Sequence, residues 1–249
     1  MGYRTTQACI KDLERHGQLR TVDVPLSSEL EVGMVQRRVY AAQGPALLFT
    51  QVAGSAFPLL GNLFGTLDRT RFIFRDTLQT IEALVHAKID PKALFSDPKA
   101  FLKVPGGAFT LLPRFVGVSE AAVCANRGNV SYLPRLVSWP KDGGAFITLP
   151  QVYSEDPDRP GFRHSNLGMY RVQLDGNQYL PDKQIGLHYQ IHRGIGVHHQ
   201  AAARRGRRLA VAVSVGGPPS LAVAAVMPLP EGMPEMSFAG LLGGHRMAM

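Results

Sequence analysis

The sequence between residues 166 and 235 contains NLGMYR (166–171), QIGLHYQIHRG (184–194) and MPLPEGMPE (227–235). Together these clusters supply an amide oxygen, an imidazole, a carboxylate and two guanidinium groups among mostly apolar neighbours. Carboxylate and amide oxygens suit a hard divalent cation, and guanidinium groups suit a phosphate. The mixture is therefore typical of a site that holds one phosphate and one divalent cation.

The composition is that of a globular protein with an anionic partner. A chain of 249 residues is long enough for one large or two small domains, and 18% of its residues are charged. The net charge of +8 favours nucleic acid, a phosphorylated cofactor or a carboxylate substrate. The arginine cluster at 204–208 lacks interleaved aromatic residues, so we interpret it as a solvated loop and predict no nucleic-acid partner.

Neither a disulfide framework nor a membrane span is expected. The chain has two cysteines, Cys9 and Cys124, which are too few for a disulfide scaffold. The apolar run from Leu209 to Pro230 is interrupted at 216–219 by Gly-Gly-Pro-Pro, so it cannot form a single transmembrane helix. We expect a soluble, cytoplasmic protein.

Residues before about 100 favour an α+β fold with short connections. Apolar residues at helical spacing predict helices, and short apolar runs predict strands. The predicted helices are 6–16, which Gly17 ends, 28–42, 58–66 and 77–87, and the predicted strands are 18–24 and 46–52.

The later residues favour short strands arranged as a barrel or a sandwich. The predicted strands are 109–112, 132–137, 145–149, 169–174, 186–192 and 209–215, and a helix is predicted at 220–226 after Pro219. Strand periodicity would place His188, Gln190 and His192 on one face. His198 and His199, taken as adjacent strand residues, would point to opposite faces and form no metal pair.

Candidate ligands are distributed over the three clusters. Asn166, His188 and Glu235 offer the oxygen and nitrogen ligands that Mn²⁺ or Mg²⁺ accept, especially when phosphate oxygens complete the coordination. Arg193 and Gly194 combine a positive charge with a backbone that an anion can approach closely. They are the predicted phosphate contacts.

The motifs NLGMYR, QIGLHYQIHRG and SVGGPPSLAVAAVMPLPEGMPEMSFAGLLGG (214–244), taken together, resemble the central region of the UbiD-family decarboxylases. The resemblance extends over residues 100–249. It implies an N-terminal α+β domain at 1–105 followed by a split β-barrel flavin-binding domain at 106–249. It also implies a non-oxidative, reversible decarboxylase of the 4-hydroxy-3-polyprenylbenzoate type, which uses prenylated FMN on an aromatic or α,β-unsaturated acid.

The same resemblance assigns roles to individual residues. Arg171 would be catalytic, because it would pair with the substrate carboxylate beside the flavin. Asn166, His188 and Glu235 would bind Mn²⁺ or Mg²⁺, with K⁺ as a further candidate. The implied cofactor contacts are Asn166, Met169, Tyr170, Arg171, Leu187, His188, Arg193, Gly194, Met227, Pro228 and Glu235.

The resemblance also implies partners and missing parts. A flavin prenyltransferase would supply the cofactor, and the full-length enzyme would form a homo-oligomer. In the family, the acidic proton donor and a dimerisation domain follow the segment that 240–244 resembles, so we expect both to be absent here. The apolar stretch 238–242 would then be an uncovered interface.

Three alternative functions remain open. A split-barrel protein could bind ordinary FMN for redox chemistry without a metal at the phosphate. The chain could also be a non-catalytic subunit that needs a partner. A nucleic-acid module built on 204–208 is the third, and would require affinity that falls steeply with salt.

Overall fold

The N-terminal part of the fold begins with an amphipathic helix, α1 (Thr6–Arg15). The computed structural model describes residues 2–79, 81–82, 109–117, 128–229 and 232–249. The side chain of Thr5 caps the first turn of α1, and its buried residues Cys9 and Leu13 are one turn apart. Gly17, at φ 67°, follows the helix end. The helix predicted at 6–16 is confirmed.

A small mixed sheet follows α1. The sheet consists of β1 (Leu19–Val22), β2 (Ala46–Phe49) and β3 (Leu59–Gly61). Helix α2 (Glu31–Ala41) lies between β1 and β2 in the chain, and α3 (Leu67–Ile73) follows β3. β1 is parallel to β2, and β2 is antiparallel to β3. The predictions for 18–24, 28–42 and 46–52 are confirmed over shorter spans. The helix predicted at 58–66 is wrong, because Leu59 and Leu60 pair with β2 as a strand.

The second part of the fold carries the predicted site. Its elements are β4 (Phe146–Ile147), β5 (Gln151–Glu155), β6 (Ser165–Met169), β7 (Val172–Gln173), β8 (Gly186–Leu187), α4 (Gly194–Arg204), β9 (Val211–Ser214), α5 (Pro219–Ala224) and α6 (Glu235–Gly243). In the described residues, these strands form two antiparallel sheets, ordered β4-β7-β8 and β6-β5-β9. The fold is therefore mixed α+β. The described strands show no closed barrel, so the split barrel stays a prediction.

Several element predictions for this part are confirmed. Strands β4 and β9 lie within 145–149 and 209–215. Pro219 opens α5, as expected of a residue that has no N–H to leave unpaired in the first turn. The arginine cluster at 204–208 is exposed at and beyond the end of α4, where Arg204 and Arg205 form ion pairs with Asp158.

Other predictions fail or are met only in part. Phe109 and Thr110 are helical and a turn follows, so the strand at 109–112 is wrong. The strand at 169–174 is interrupted at 170–171, and the region 132–137 contributes isolated bridges. The helix at 77–87 is described only at its start. The predicted boundary at 105 and Cys124 fall outside the described residues.

The apolar stretch predicted to be an uncovered interface is part of the core. Phe238, Leu241 and Leu242 of α6 are 7%, 5% and 5% exposed, and they belong to the cluster that contains Cys9 and Leu13 of α1. Helix α6 packs against α5 and β6, and all of its residues after Glu235 are buried. The prediction for 238–242 was therefore wrong, because the fold buries this stretch within the chain.

Shortening a core leucine of α6 tests this packing. Leu241→Ala is expected to lower the free energy of unfolding by about 2–5 kcal/mol, since the change leaves a cavity among well-packed side chains. Leu67, at the start of α3, is 65% exposed and provides the control. Leu67→Ala should change stability by less than about 0.5 kcal/mol. Urea unfolding of both variants measures the difference, and equal stabilities would contradict the buried position of α6.

No helix in the described ranges is both long enough and apolar enough to cross a membrane.

Candidate functional site

Strand β6 carries the first predicted cluster and places Asn166 inside the protein. Asn166 is 9% exposed and lies opposite Ser154 in the antiparallel pair of β5 and β6. Its Oδ1 accepts the hydroxyl hydrogen of Tyr170 at 3.3 Å, whereas its Nδ2 is buried without a hydrogen-bond partner. A buried amide N–H without a partner is costly, so this side chain marks a place where a polar ligand would fit.

Helix α4 begins directly over Asn166. A Cβ atom at Gly194 would overlap the side-chain amide of Asn166, so the close approach requires glycine at this position. Arg193 is the exposed residue that precedes the helix, and its Nε donates to Gln190 Oε1 at 3.4 Å. The first turn of the helix presents N–H groups that favour an anion.

The second cluster differs from its prediction. The strand predicted at 186–192 is limited to Gly186 and Leu187, so no run of alternating residues places His188, Gln190 and His192 on one face. His198 and His199 lie in α4, not in a strand. The polar residues from 188 to 193 instead form the connection into this helix.

Helix α6 brings Glu235 to the same place. Glu235 is the first residue of α6, and its Oε2 accepts the backbone N–H of Leu167 in β6 at 3.2 Å. Burial raises the pKa of this carboxyl group, while hydrogen bonds from backbone N–H groups act in the opposite direction. A carboxylate that burial has removed from water is stabilised in its charged form when a cation binds to it.

One cavity joins these residues. It has a volume of about 960 Å³, and Asn166, Gly194, His198 and Glu235 are among the residues that line it. Two helices therefore begin at its wall, α4 at Gly194 and α6 at Glu235. The structure thus brings together two of the three predicted metal ligands and one of the two predicted phosphate contacts.

His188 lies apart from this cavity. Its Nε2 is 2.9 Å from Gln173 Oε1 on β7, and its ring packs edge-on against Phe146 of β4. It is not one of the residues that line the Asn166 cavity. Within the described ranges, no three His, Cys, Asp or Glu side chains are grouped as a metal site. The three-residue metal set stays a prediction.

Arg171 belongs to the same group of side chains as His188. Its guanidinium carbon lies 4.0 Å from the centre of the Phe146 ring, and its carbonyl oxygen accepts the N–H of His188 at 3.0 Å. It is exposed and forms no ion pair with any residue that the structure describes. A guanidinium stacked on an aromatic face keeps its N–H edge available for a carboxylate.

The predicted flavin walls come from the end of β6, from β8 and from the segment after α5. The Tyr170 ring covers Gly168, where a Cβ atom would collide with it. The N–H of Met169 donates to the carbonyl of Ala225 at 3.1 Å, which places the end of β6 beside the end of α5. The remaining members are Leu187 in β8 and the exposed residues Met227 and Pro228 just beyond α5.

Sequence reasoning missed two residues of the cavity region. Ser154 and His198 are buried, and their Oγ and Nδ1 atoms lie 3.0 Å apart. A strand serine and a histidine 44 residues later carry no shared motif. Helical spacing from Gly194 to His198 would have been the available signal, but His198 and His199 were taken as strand residues.

Gly194→Ala tests the close approach of α4 to Asn166. The added methyl group should displace the helix or the amide, and overpacking of this kind costs about 1–3 kcal/mol. Thermal unfolding should show a loss of this size. At Gly143 the nearest atom to an added Cβ is 3.7 Å away, so Gly143→Ala is the control and should unfold like the wild type. Equal melting of all three proteins would contradict the described packing.

The arrangement of α+β elements is one already seen in solved decarboxylases. The closed form of the vanillic acid decarboxylase of Sedimentibacter hydroxybenzoicus matches all of this chain and 50% of its own, with a TM-score of 0.81 at 20% identity. HmfF of Pelotomaculum thermopropionicum, a UbiD-class enzyme solved with FMN, matches 98% of this chain and 49% of its own, with a TM-score of 0.73 at 19% identity. These likenesses define the fold.

Sequence comparison gives the family. The model of the 3-octaprenyl-4-hydroxybenzoate carboxy-lyase Rift-related domain matches residues 116–249, and the model of the corresponding N-terminal domain matches residues 10–88. Because the first model alone covers more than half of the chain, this chain belongs to the UbiD family. The resemblance read from the motifs is confirmed.

Individual relatives are longer than this chain. A protein of Chlamydia pneumoniae, named as one of the subunits of a 4-hydroxybenzoate decarboxylase, is 40% identical over 236 residues, which are 92% of this chain and 38% of that protein. An uncharacterized protein of Aquifex aeolicus is 36% identical over 251 residues, covering 96% and 49% respectively. The chain thus spans two fifths to one half of the length of these relatives.

Proposed function

We propose that this chain carries the prenylated-FMN-binding part of a UbiD-type decarboxylase. The complete enzyme would catalyse the non-oxidative, reversible decarboxylation of an aromatic or α,β-unsaturated carboxylic acid. One observation carries the proposal: Asn166, Gly194 and Glu235, which come from three distant segments, line a single cavity. The family relationship and the decarboxylase relatives support the reaction class.

The residues of the cavity fit the phosphate end of a flavin with a divalent cation. The side-chain oxygen of Asn166, which accepts from Tyr170, and the partly buried carboxylate of Glu235 would hold Mn²⁺ or Mg²⁺, with K⁺ as a further candidate, while the unpartnered Nδ2 of Asn166 would donate to a phosphate oxygen. Oxygen ligands of this kind suit such hard ions. The first turn of α4, which begins at Gly194, would face the phosphate, and the charge of Arg193 would complement it.

Arg171 would orient the substrate. Its stacked guanidinium, 4.0 Å from the Phe146 ring centre, is held in one plane, which suits bidentate pairing with a carboxylate. Because the carboxylate loses its charge as CO₂ forms, this pair cannot be too strong in the bound acid, or it would oppose the loss of CO₂. When bound, the prenylated flavin would supply the electron sink for decarboxylation.

The proposal extends to the walls and the surroundings of the site. Met169, Tyr170, Met227 and Pro228 would border the flavin ring, and Leu187 and His188, which lie outside the Asn166 cavity, would contact the cofactor on the side of Arg171. The complete domain would close as a split β-barrel. We further propose a homo-oligomeric, cytoplasmic enzyme that receives its cofactor from a flavin prenyltransferase.

Cofactor identity tests the proposal. The chain is produced with a prenylated-FMN supply and Mn²⁺, and denaturing mass spectrometry identifies the small molecule released. Prenylated FMN is the expected result. Unmodified FMN alone, when prenylated FMN is present in the same cells, would favour a redox flavoprotein. Release of no flavin would contradict cofactor binding by this chain.

A further inference from the structure

A buried hydrogen bond joins helix α4 to the sheet beneath it. Ser154 and His198 are 1% and 8% exposed, and Ser154 Oγ lies 3.0 Å from His198 Nδ1. In the described part of the chain, this is the only side-chain hydrogen bond between α4 and strands β5 and β6. The other buried residues of the helix are small or apolar, such as Ile195 and Ala202.

The strand register places this bond beside the proposed cofactor site. Ser154 is the cross-strand partner of Asn166, and paired residues of neighbouring strands point to the same face of a sheet. Gly194 and His198 are four residues apart in α4, so they share one face of the helix. Gly194 lies over Asn166 and His198 bonds to Ser154, so two helix residues rest on one pair of strand residues.

The electrostatic surroundings favour a neutral imidazole in this contact. Burial lowers the pKa of His198, while the charges of Asp156 and Glu155 oppose that shift. The neutral ring carries one N–H donor and one acceptor, and a serine hydroxyl can pair with either. The contact therefore holds the helix without adding a positive charge to the cavity.

We infer that Ser154 and His198 are a positioning pair that holds the first turn of α4 over Asn166 and thereby sets the shape of the phosphate and cation cavity. The inference rests on the proposed function. The physical reason is the tight fit at Gly194, where even a Cβ atom has no room beside Asn166. A helix that shifts by a fraction of an ångström would change the distance between the Asn166 amide and the N–H groups of α4.

Three variants of the whole chain, Ser154→Ala, His198→Asn and His198→Gln, test whether the contact depends on Nδ1 of the imidazole and not on Nε2. Asparagine at 198 places its amide near the position of Nδ1 and keeps the bond to Ser154, whereas glutamine reaches the position of Nε2. Hydrogen–deuterium exchange of the amides of residues 195–199 reports the stability of the first turns of α4. Ser154→Ala and His198→Gln should accelerate exchange about three- to tenfold, the ratio that one hydrogen bond provides. His198→Asn should resemble the wild type.

Affinity for FMN with Mn²⁺, measured by flavin fluorescence, gives the second readout. Ser154→Ala and His198→Gln should weaken it by about the same three- to tenfold factor. Thr77→Val is the control for general destabilisation, since Thr77 is buried and its Oγ1 donates to the carbonyl of Leu242 at 2.8 Å. This control should lose stability yet keep wild-type exchange in α4 and wild-type FMN affinity.

The possible outcomes distinguish the positioning role of Ser154 and His198 from the proposed binding of FMN. Wild-type exchange in Ser154→Ala, or equal acceleration in the asparagine and glutamine variants, would overturn the positioning role. Weakened FMN affinity in Thr77→Val would overturn it as well, by showing that any loss of stability has this effect. A wild-type chain that binds no FMN would refute the proposed function, and the exchange data would still decide whether the pair positions α4.

Discussion

Replacing Glu235 with glutamine is expected to lower the affinity for FMN in the presence of Mn²⁺ by at least about 100-fold. The variant keeps the size of the side chain and an oxygen that can accept the N–H of Leu167, which now lies 3.2 Å from Oε2. It removes the negative charge that would face the cation in a partly buried position. Loss of one member of a buried charge pair costs about 3–5 kcal/mol, which corresponds to that ratio or more.

The same substitution should stabilise the metal-free protein at neutral pH. Burial raises the pKa of Glu235, so the folded protein binds this proton more tightly than the unfolded chain does. Stability of the wild type therefore falls as pH rises from the unfolded value of about 4.3 through the higher folded value. Glu235→Gln lacks this loss, so its thermal unfolding temperature should exceed that of the wild type at pH 7 and converge with it at low pH.

Glu31 provides a matched control for Glu235. It is also the first residue of a helix, α2, and its Oε2 accepts a backbone N–H, that of Ser27 at 2.7 Å. It is exposed, and it lies in the N-terminal part of the fold. Glu31→Gln should leave FMN affinity unchanged. Equal affinities in Glu235→Gln and Glu31→Gln would remove Glu235 from the cation site.

Replacing Arg171 with alanine is expected to weaken the binding of the substrate acid and to leave the binding of the flavin almost unchanged. Flavin affinity should stay within about twofold of the wild type, whereas binding of an aromatic acid should weaken by about 30-fold or more, as when one member of a hydrogen-bonded charge pair is truncated. The probe is 4-hydroxybenzoate, the acid in the name of the Chlamydia relative. Its binding to flavin-loaded protein is measured by the change in the flavin absorption spectrum.

Two further variants refine the test of Arg171. Arg171→Lys keeps the charge but loses the planar fork, so its affinity for the acid should fall between those of the wild type and the alanine variant. Arg37 also stacks on an aromatic ring, 4.3 Å from the centre of Trp139, and Arg37→Ala should bind the acid normally. Flavin loss in Arg171→Ala, with no specific loss of acid binding, would contradict the orienting role.

The parts of the fold that could be predicted have strong local signals. Helix α1 combines a capping threonine, apolar residues one turn apart and a terminal Gly17, and these signals agree with one another. Pro219 opens α5 because its backbone geometry suits a first helical turn. In both places, the local preference and the tertiary structure favour the same conformation.

The parts that could not be predicted depend on packing. Helix α4 begins with Gly194 and Gly196 and continues through Val197, His198 and His199, residues of modest helical preference. Its contacts with β5 and β6 stabilise the helix. The sequence of the helix itself does not indicate these contacts. Helix α6 has apolar residues on all sides, so it lacks the periodicity that separates a buried helix from an exposed interface.

The candidate site shows the same division. Asn166 and Glu235 were found because they occupy positions in motifs, and the structure places both in one cavity. His188 occupies a motif position too, yet its side chain bonds to Gln173. Ser154 became visible only through the register that pairs it with Asn166, and strand register across unlike segments cannot be read from a single sequence.

The proposal that one cavity holds both the cation and the flavin phosphate is tested most directly by ³¹P electron–nuclear double resonance on Mn²⁺ bound to the FMN-loaded chain. A phosphorus coupling typical of Mn²⁺ coordinated by the flavin phosphate is expected in the wild type, and no such coupling is expected in Asn166→Ala or Glu235→Gln. Bound Mn²⁺ without a phosphorus coupling in the wild type, or a coupling unchanged in both variants, would show that the Asn166 and Glu235 cavity is not where cation and cofactor meet.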